Sequence, residues 1–215
     1  MEQAIIILIY FHAFCGGIGL LTGIGSIIVK KGGLLHKRMG RIFSYAMLTS
    51  SSIALVVSRM PNHENLFLFL IGLFTIYLVL AGNRALTFKS RSKKKANLLD
   101  KSVSGLTLVA SVIMIGIGVM GLIQNQSNAV LFLFFAVFGV FLSLGDFRMF
   151  KIFHQNKNAW LTSHLGRMTG ALIASITAFL VTAIDLSSVV VWIAPTIVGT
   201  LYITYWNVKL RPKTQ

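Results

Sequence analysis

Charge is scarce in this chain. Only 12% of its 215 residues are Asp, Glu, Lys or Arg, about half the roughly 25% of a soluble domain. The deficit comes with long apolar runs and a mean hydropathy of +0.79, which excludes an ordinary soluble globule and indicates a polytopic membrane protein. Cysteine is almost absent: Cys15 alone, so neither a disulfide framework nor a thiolate metal site can be assembled. Short segments of alternating hydrophobicity are missing too, which excludes an outer-membrane barrel. Backbone groups in lipid must pair internally, so the runs are expected to be helices. No positive charge precedes the first apolar run. Glu2 stands before it and Lys30–Lys31 follow, the reverse of a cleaved signal peptide, and a retained helix is expected. No stretch suits a soluble domain; the longest connections are about a dozen residues.

What is present is seven apolar runs, near 4–29, 42–58, 66–86, 103–123, 130–144, 165–184 and 187–208. Most suffice to cross a hydrocarbon core of about 30 Å at 1.5 Å per residue. The second and fifth need their polar-edged flanks, Arg38 to Arg41 and Gly145 to Phe150, to reach full span. The expected fold is all-α, one seven-helix transmembrane domain over residues 1–215.

With the N-terminus outside, nineteen of the twenty basic residues fall on the inner side and only Arg59 opposite, while Glu2, Glu64 and Asp185 lie outside. The positive-inside rule then gives N-out and C-in. The same distribution accounts for the net charge of +15. These cations border helices in four short loops, so anionic lipid headgroups are their expected partners, and nucleic acid is not. That holds also for the KSRSKKK run at 89–95.

Small residues recur on helix faces. His12, Gly16, Gly19, Gly23 and Ser26 share one stripe of the first helix; Thr107, Ser111, Gly118 and Gly121 mark the fourth; Gly170, Ala174 and Thr177 the sixth. Close helix packing is the reading preferred over room for a flat ligand. His12 is the histidine well inside a span, where an ionisable residue is a functional candidate by default and a cross-helix hydrogen bond the plain alternative.

The remaining candidates gather at inner helix mouths. His36, with Lys37, Arg38 and Arg41, opens the second helix, and His164 with Arg167 opens the sixth. Cations there oppose the macrodipole, and Asp146 near the inner end of the fifth helix opposes it in the other sense. Mutual neutralisation is expected, with Arg84 able to join. A site of His36, His164, Arg38, Arg41, Arg84, Asp146 and Arg167, with His12 as a further candidate, would suit an anionic small molecule, a lipid headgroup or a cofactor. Haem b is the alternative, since it wants axial histidines with basic residues for its propionates. No helix carries two histidines four turns apart, which excludes a two-haem electron wire. His12 is too far along its helix to share a metal with His36 and His164, which weakens a membrane metallohydrolase. A retinal protein lacks its mid-membrane lysine. A carrier stays open, with Pro195 and Gly199 as flexure points.

The motifs FHxxxGxxxLLxG at 11–23, KGGxxHKRMGRIF at 31–43, YLxLxGxRAL at 77–86 and HLGRMTGALIA at 164–174 together resemble a family of bacterial polytopic membrane proteins known as a domain of unknown function, in its Bacteroidetes form. The resemblance covers nearly the whole chain. It implies an inner-membrane location and singles out His12, His36, Arg41, Arg84, His164 and Arg167, but implies no activity.

Overall fold

The computed structural model describes residues 2–90, 93–126, 129–184 and 189–210. Arg91, Asp185, Arg211 and Lys213, counted above for orientation, lie outside the described residues. Among the described residues the chain is all-α, with seven helices: α1 (Glu2–Ile28), α2 (Leu34–Val57), α3 (Leu66–Thr87), α4 (Leu98–Ile123), α5 (Ala129–Ile152), α6 (Ala159–Thr182) and α7 (Val189–Lys209). Among the described residues, α1 to α6 are long and apolar enough to cross a membrane, and the protein is a multi-pass membrane protein.

Several helices overrun their apolar cores. α2 starts at Leu34 rather than near 42, α5 continues to Ile152 rather than ending near 144, and α6 starts at Ala159 rather than near 165. On α5 the flank Gly145–Ile152 keeps the three- and four-residue spacing of buried positions, so the helix continues where hydropathy fades. On α5 that stripe runs through Phe135, Ala136, Gly139, Ser143, Asp146 and Met149. One consequence corrects the dipole reasoning above. Asp146 lies well before the end of α5, and Arg167 about two turns inside α6. The macrodipole acts within the first and last turn, so neither charge is placed by it.

Two compact units divide the chain: residues 1–79 with 169–199, and residues 80–168 with 200–215. In the first, α1 packs on α2. Gly23 makes this approach possible, since a Cβ there would lie 2.8 Å from both Phe43 and Leu172. Gly19 faces Met47 with equal closeness. Gly17 differs: a Cβ there meets nothing within 4 Å. In the second unit α4 packs on α5, with Gly118 against Leu133 and the Ala129 carbonyl, and Gly139 against Ser111. Leu106, Val109, Ile113, Ile117 and Met120 of α4 are exposed while Asp100, Ser104, Ser111 and Gly118 are buried. That inversion of the soluble pattern is expected where lipid is as apolar as leucine and packing selects small residues.

Gly118→Val places a Cβ 3.2 Å from the Ala129 carbonyl oxygen and 2.7 Å from Leu133, and the backbone oxygen cannot move aside. The substitution should destabilise the α4–α5 pair by about 1–3 kcal/mol, measured by thermal unfolding in detergent. Gly116→Ala on the same helix, with open space at its Cβ, should melt with the parent.

Candidate functional site

In the second unit the buried charges form two linked ion-pair groups. The first begins at the entry to α4, where Asn97 and Asp100 make a reciprocal capping box: the Asn97 side chain accepts from the Asp100 N–H at 3.0 Å and the Asp100 carboxylate from the Asn97 N–H at 2.9 Å. Capping boxes satisfy two orphan donors at once. Arg84 of α3 closes over this box, its Nε donating to Asp100 at 2.7 Å and its Nη2 to Asn97 at 3.1 Å. Lys93 donates to the other Asp100 oxygen at 2.6 Å while its ammonium lies 3.7 Å from the Phe88 ring centroid. The Asp100 side chain is fully buried. In lipid-level surroundings such a carboxylate persists only with this density of donors.

One turn further along α4, Ser104 donates to Asp146 at 2.9 Å. Arg167 of α6 donates through Nη2 to the same carboxylate at 2.7 Å and to the Leu142 carbonyl at 2.6 Å. A small cavity touches both groups, with Arg84, Asp100, Ser104 and Asp146 in its wall. Of the expected site residues, Arg84, Asp146 and Arg167 thus gather in this unit. Each arginine has a carboxylate partner inside the protein. His164 belongs to the same unit, and its Nδ1 lies 2.9 Å from the Gly82 carbonyl of α3.

His36, Arg38, Arg41 and His12 belong to the first unit. The Nδ1 of His36 is 2.9 Å from the Ser26 carbonyl, and the Lys31 ammonium donates to the Ile27 carbonyl. Together they cap the open carbonyls of the last turn of α1, the end where a helix favours cations. Partial burial pulls the Lys31 ammonium below its ordinary pKa range. Arg38 and Arg41 are exposed and carry no side-chain contact comparable to those of Arg84 and Arg167.

His12 has the most enclosed setting of the histidines expected to matter. Its Nδ1 sits 2.8 Å from the Ser50 carbonyl and 2.9 Å from the Ser50 hydroxyl, which in turn donates to the His12 carbonyl at 3.1 Å. This reciprocal bond ties α1 to α2 beside Gly16. It also borders a cavity of about 570 Å³ within the first unit. The walls come from α1 (His12, Gly16, Gly17), α2 (Met47, Ser50, Ser51), the α2–α3 connection (His63, Glu64, Asn65), α3 (Gly72, Thr75) and the end of α6 (Ser175, Phe179). The small-residue stripe of α1 serves packing, with Gly16 against Ser50, Gly19 against Met47 and Gly23 against Phe43 and Leu172; Gly17, off that stripe, borders the cavity with nothing within 4 Å of its Cβ position.

One geometry repeats. His12, His36 and His164 each turn Nδ1 to a backbone carbonyl. A carbonyl only accepts, so Nδ1 holds the proton, and a neutral ring then presents Nε2 as an acceptor. Among the described residues no group of three or more His, Cys, Asp or Glu is placed to hold a metal ion. Comparison with protein-family models, with curated proteins and with solved structures finds no match to this chain.

Asp100, Lys93, Ser104 and Ser50 were not among the expected site residues. Asp100 had a readable signal, the N-x-x-D spacing at 97–100 just before an apolar run. Ser50 had none, because its role depends on which face of α2 meets α1.

Removing one partner of a buried pair leaves the other charge stranded. Arg167→Met should destabilise by about 3–5 kcal/mol, and the double variant Asp146→Leu/Arg167→Met should recover most of that loss. Thermal unfolding of the four proteins in one detergent gives the cycle. A double variant as damaged as the sum of the singles excludes coupling between the two groups.

Proposed function

We propose that this protein resides in a bacterial inner membrane with seven spans, N-out and C-in, and binds a small lipophilic molecule in the cavity of its first unit. The observation that carries this reading is the cavity of about 570 Å³ with His12 in its wall. Ligand sites are typically concave and largely apolar, with a few placed polar groups, and between-helix cavities bearing an intramembrane ionisable residue fit that description. Orientation is supported by the helix bounds, which put Lys30, Lys31 and Lys37 in or beside the α1–α2 connection and Lys89, Lys93, Lys94 and Lys95 in the α3–α4 connection. Anionic lipid headgroups are the partners for these exposed cations and for Arg38 and Arg41. The arginines of the second unit have internal carboxylates and need no external anion. No reaction is assigned to the cavity.

Haem b is the second reading, favoured by the histidine geometry: an axial histidine commonly fixes its Nδ1–H on a carbonyl and ligates through Nε2. Against it, the cavity beside His12 includes Glu64 and no Lys or Arg in its wall, so propionates would lack partners there.

Purified protein should carry a solvent-extractable lipophile near one per chain, reduced at least several-fold in Gly17→Leu, at a cavity-lining position where an added Cβ meets nothing within 4 Å. No such molecule in the parent, or equal amounts in both, refutes the cavity reading, and a Soret band establishes the haem reading in its place. Orientation is checked with an impermeant maleimide on intact cells: Asn62→Cys should label, and Lys94→Cys only after lysis.

A further inference from the structure

Most hydroxyls around the first unit's cavity have a definite hydrogen-bond sense, and these point the same way; His63, also in the wall, turns its Nε2 to Glu2 at 3.0 Å. The Thr75 hydroxyl donates to the Ile71 carbonyl at 2.7 Å, Ser175 to Ala171 at 2.7 Å and Thr182 to Ala178 at 2.6 Å. A hydroxyl that has given its proton to its own helix keeps only lone pairs for anything else. The Ser50 hydroxyl is likewise committed, to the His12 carbonyl. His12 offers Nε2, an acceptor in the neutral ring, because Nδ1 faces a carbonyl. Glu64 adds a carboxylate, again an acceptor. The fixed side-chain donor is the Asn65 amide, in the connection ahead of α3, whose oxygen already caps the Leu68 N–H. Ser51 can turn either way.

We propose that the cavity selects an uncharged lipophile whose polar end donates a hydrogen bond, an alcohol or phenol headgroup, with His12 Nε2 as its principal acceptor. This rests on the reading of the cavity as a ligand site. The selection follows from pairing. An alcohol inside a wall of acceptors makes bonds that nothing in the protein supplies. A methyl ether of the same length brings another acceptor and leaves lone pairs facing lone pairs. A carboxylate adds repulsion from Glu64 and finds no Lys or Arg in the wall, where His63 already faces Glu2. A site built to bond a hydroxyl discriminates strongly against analogues without one, because its own groups are left unpaired. This reverses the sign of ligand suggested by the excess of lysine and arginine, because none of those cations lines the cavity.

Three alkyl diazirine probes of equal chain length, ending in a hydroxyl, a methyl ether and a carboxylate, test the assignment on the purified full-length chain in detergent. Photolysis is followed by peptide mapping of α1, α2, α3 and the end of α6. The hydroxyl probe should label cavity-lining residues about tenfold more than the ether at equal occupancy of the micelle, and the carboxylate less than either. His12→Phe should bring the hydroxyl-to-ether ratio near one. Thr75→Val, judged folded by gel filtration, should lower the ratio to a smaller extent, so the result does not depend on His12→Phe folding. Equal labelling by hydroxyl and ether overturns the donor preference while leaving the cavity a ligand site. Dominant labelling by the carboxylate overturns it in favour of an anion. Absence of cavity labelling by all three probes overturns both this assignment and the cavity reading beneath it.

Discussion

Inside a bilayer no water is available to satisfy a polar group, so every buried donor and acceptor must find a partner within the protein. That constraint organises the structure more than apolar burial does, because large apolar side chains gain little by leaving lipid. Its effect is visible in which side chains are innermost. Asp100, Ser104 and Asp146 are among the most buried residues and each is hydrogen-bonded, with Ser143 Oγ and Arg167 Nε as buried exceptions, whereas many leucines, isoleucines and phenylalanines are exposed. Helix contacts are accordingly made by small residues and fixed by cross-helix polar bonds: His12 with Ser50, Ser104 with Asp146, Arg167 with Asp146, His164 with the Gly82 carbonyl.

The constraint also separates two kinds of polar residue that composition alone lumps together. Asp100 and Asp146 carry full charge at positions where isolated charge is prohibitively costly, and each is held by an arginine with further donors. These groups consume one another. Their placement at adjacent turns of α4 and its neighbours makes them a lock between helices, and their removal is felt as stability. The polar groups around the first unit's cavity are neutral or peripheral, and their protons are mostly spent on the backbone. The Ser50 Oγ lone pair meets His12 Nδ1, and the hydroxyls of Thr75 and Ser175 keep theirs as acceptors. A surplus of one hydrogen-bond sense around open space is a chemical preference, whereas a balanced ion pair is not.

Much of this was legible from the residues. Apolar run length gave the seven helices, and the small-residue stripes marked which faces would meet. The contact of Asp146 with Arg167 followed from two oppositely charged residues in apolar surroundings that each lacked another reason to be there. Hydropathy misplaced the ends of α2, α5 and α6, because amphipathic turns continue a helix after the apolar signal fades. That error carried into the dipole argument, which expected the inner-mouth cations and Asp146 to neutralise one another: Arg167 pairs with Asp146, while Arg84 pairs with Asp100. Asp100 was passed over because an acid in the first turn of a helix looks ordinary; the buried setting that draws in Arg84 and Lys93 depends on how the α3–α4 connection folds back.

The histidines show where sequence reading stops. Their spacing in HKRMGRIF and HLGRMTGAL suggested a common purpose, and a common geometry exists, since each fixes its Nδ1 on a carbonyl. The geometry nonetheless does different work at each position. At His36 it closes the open end of α1 alongside Lys31, so the residue is explained by the helix it caps. At His164 it joins α6 to α3. At His12 the same bond is made in mid-helix, where no helix end needs capping, and the residue borders the first unit's cavity of about 570 Å³. A shared bonding pattern is thus not a shared role: what distinguishes His12 is that it lines a cavity, whereas His36 and His164 do not line it.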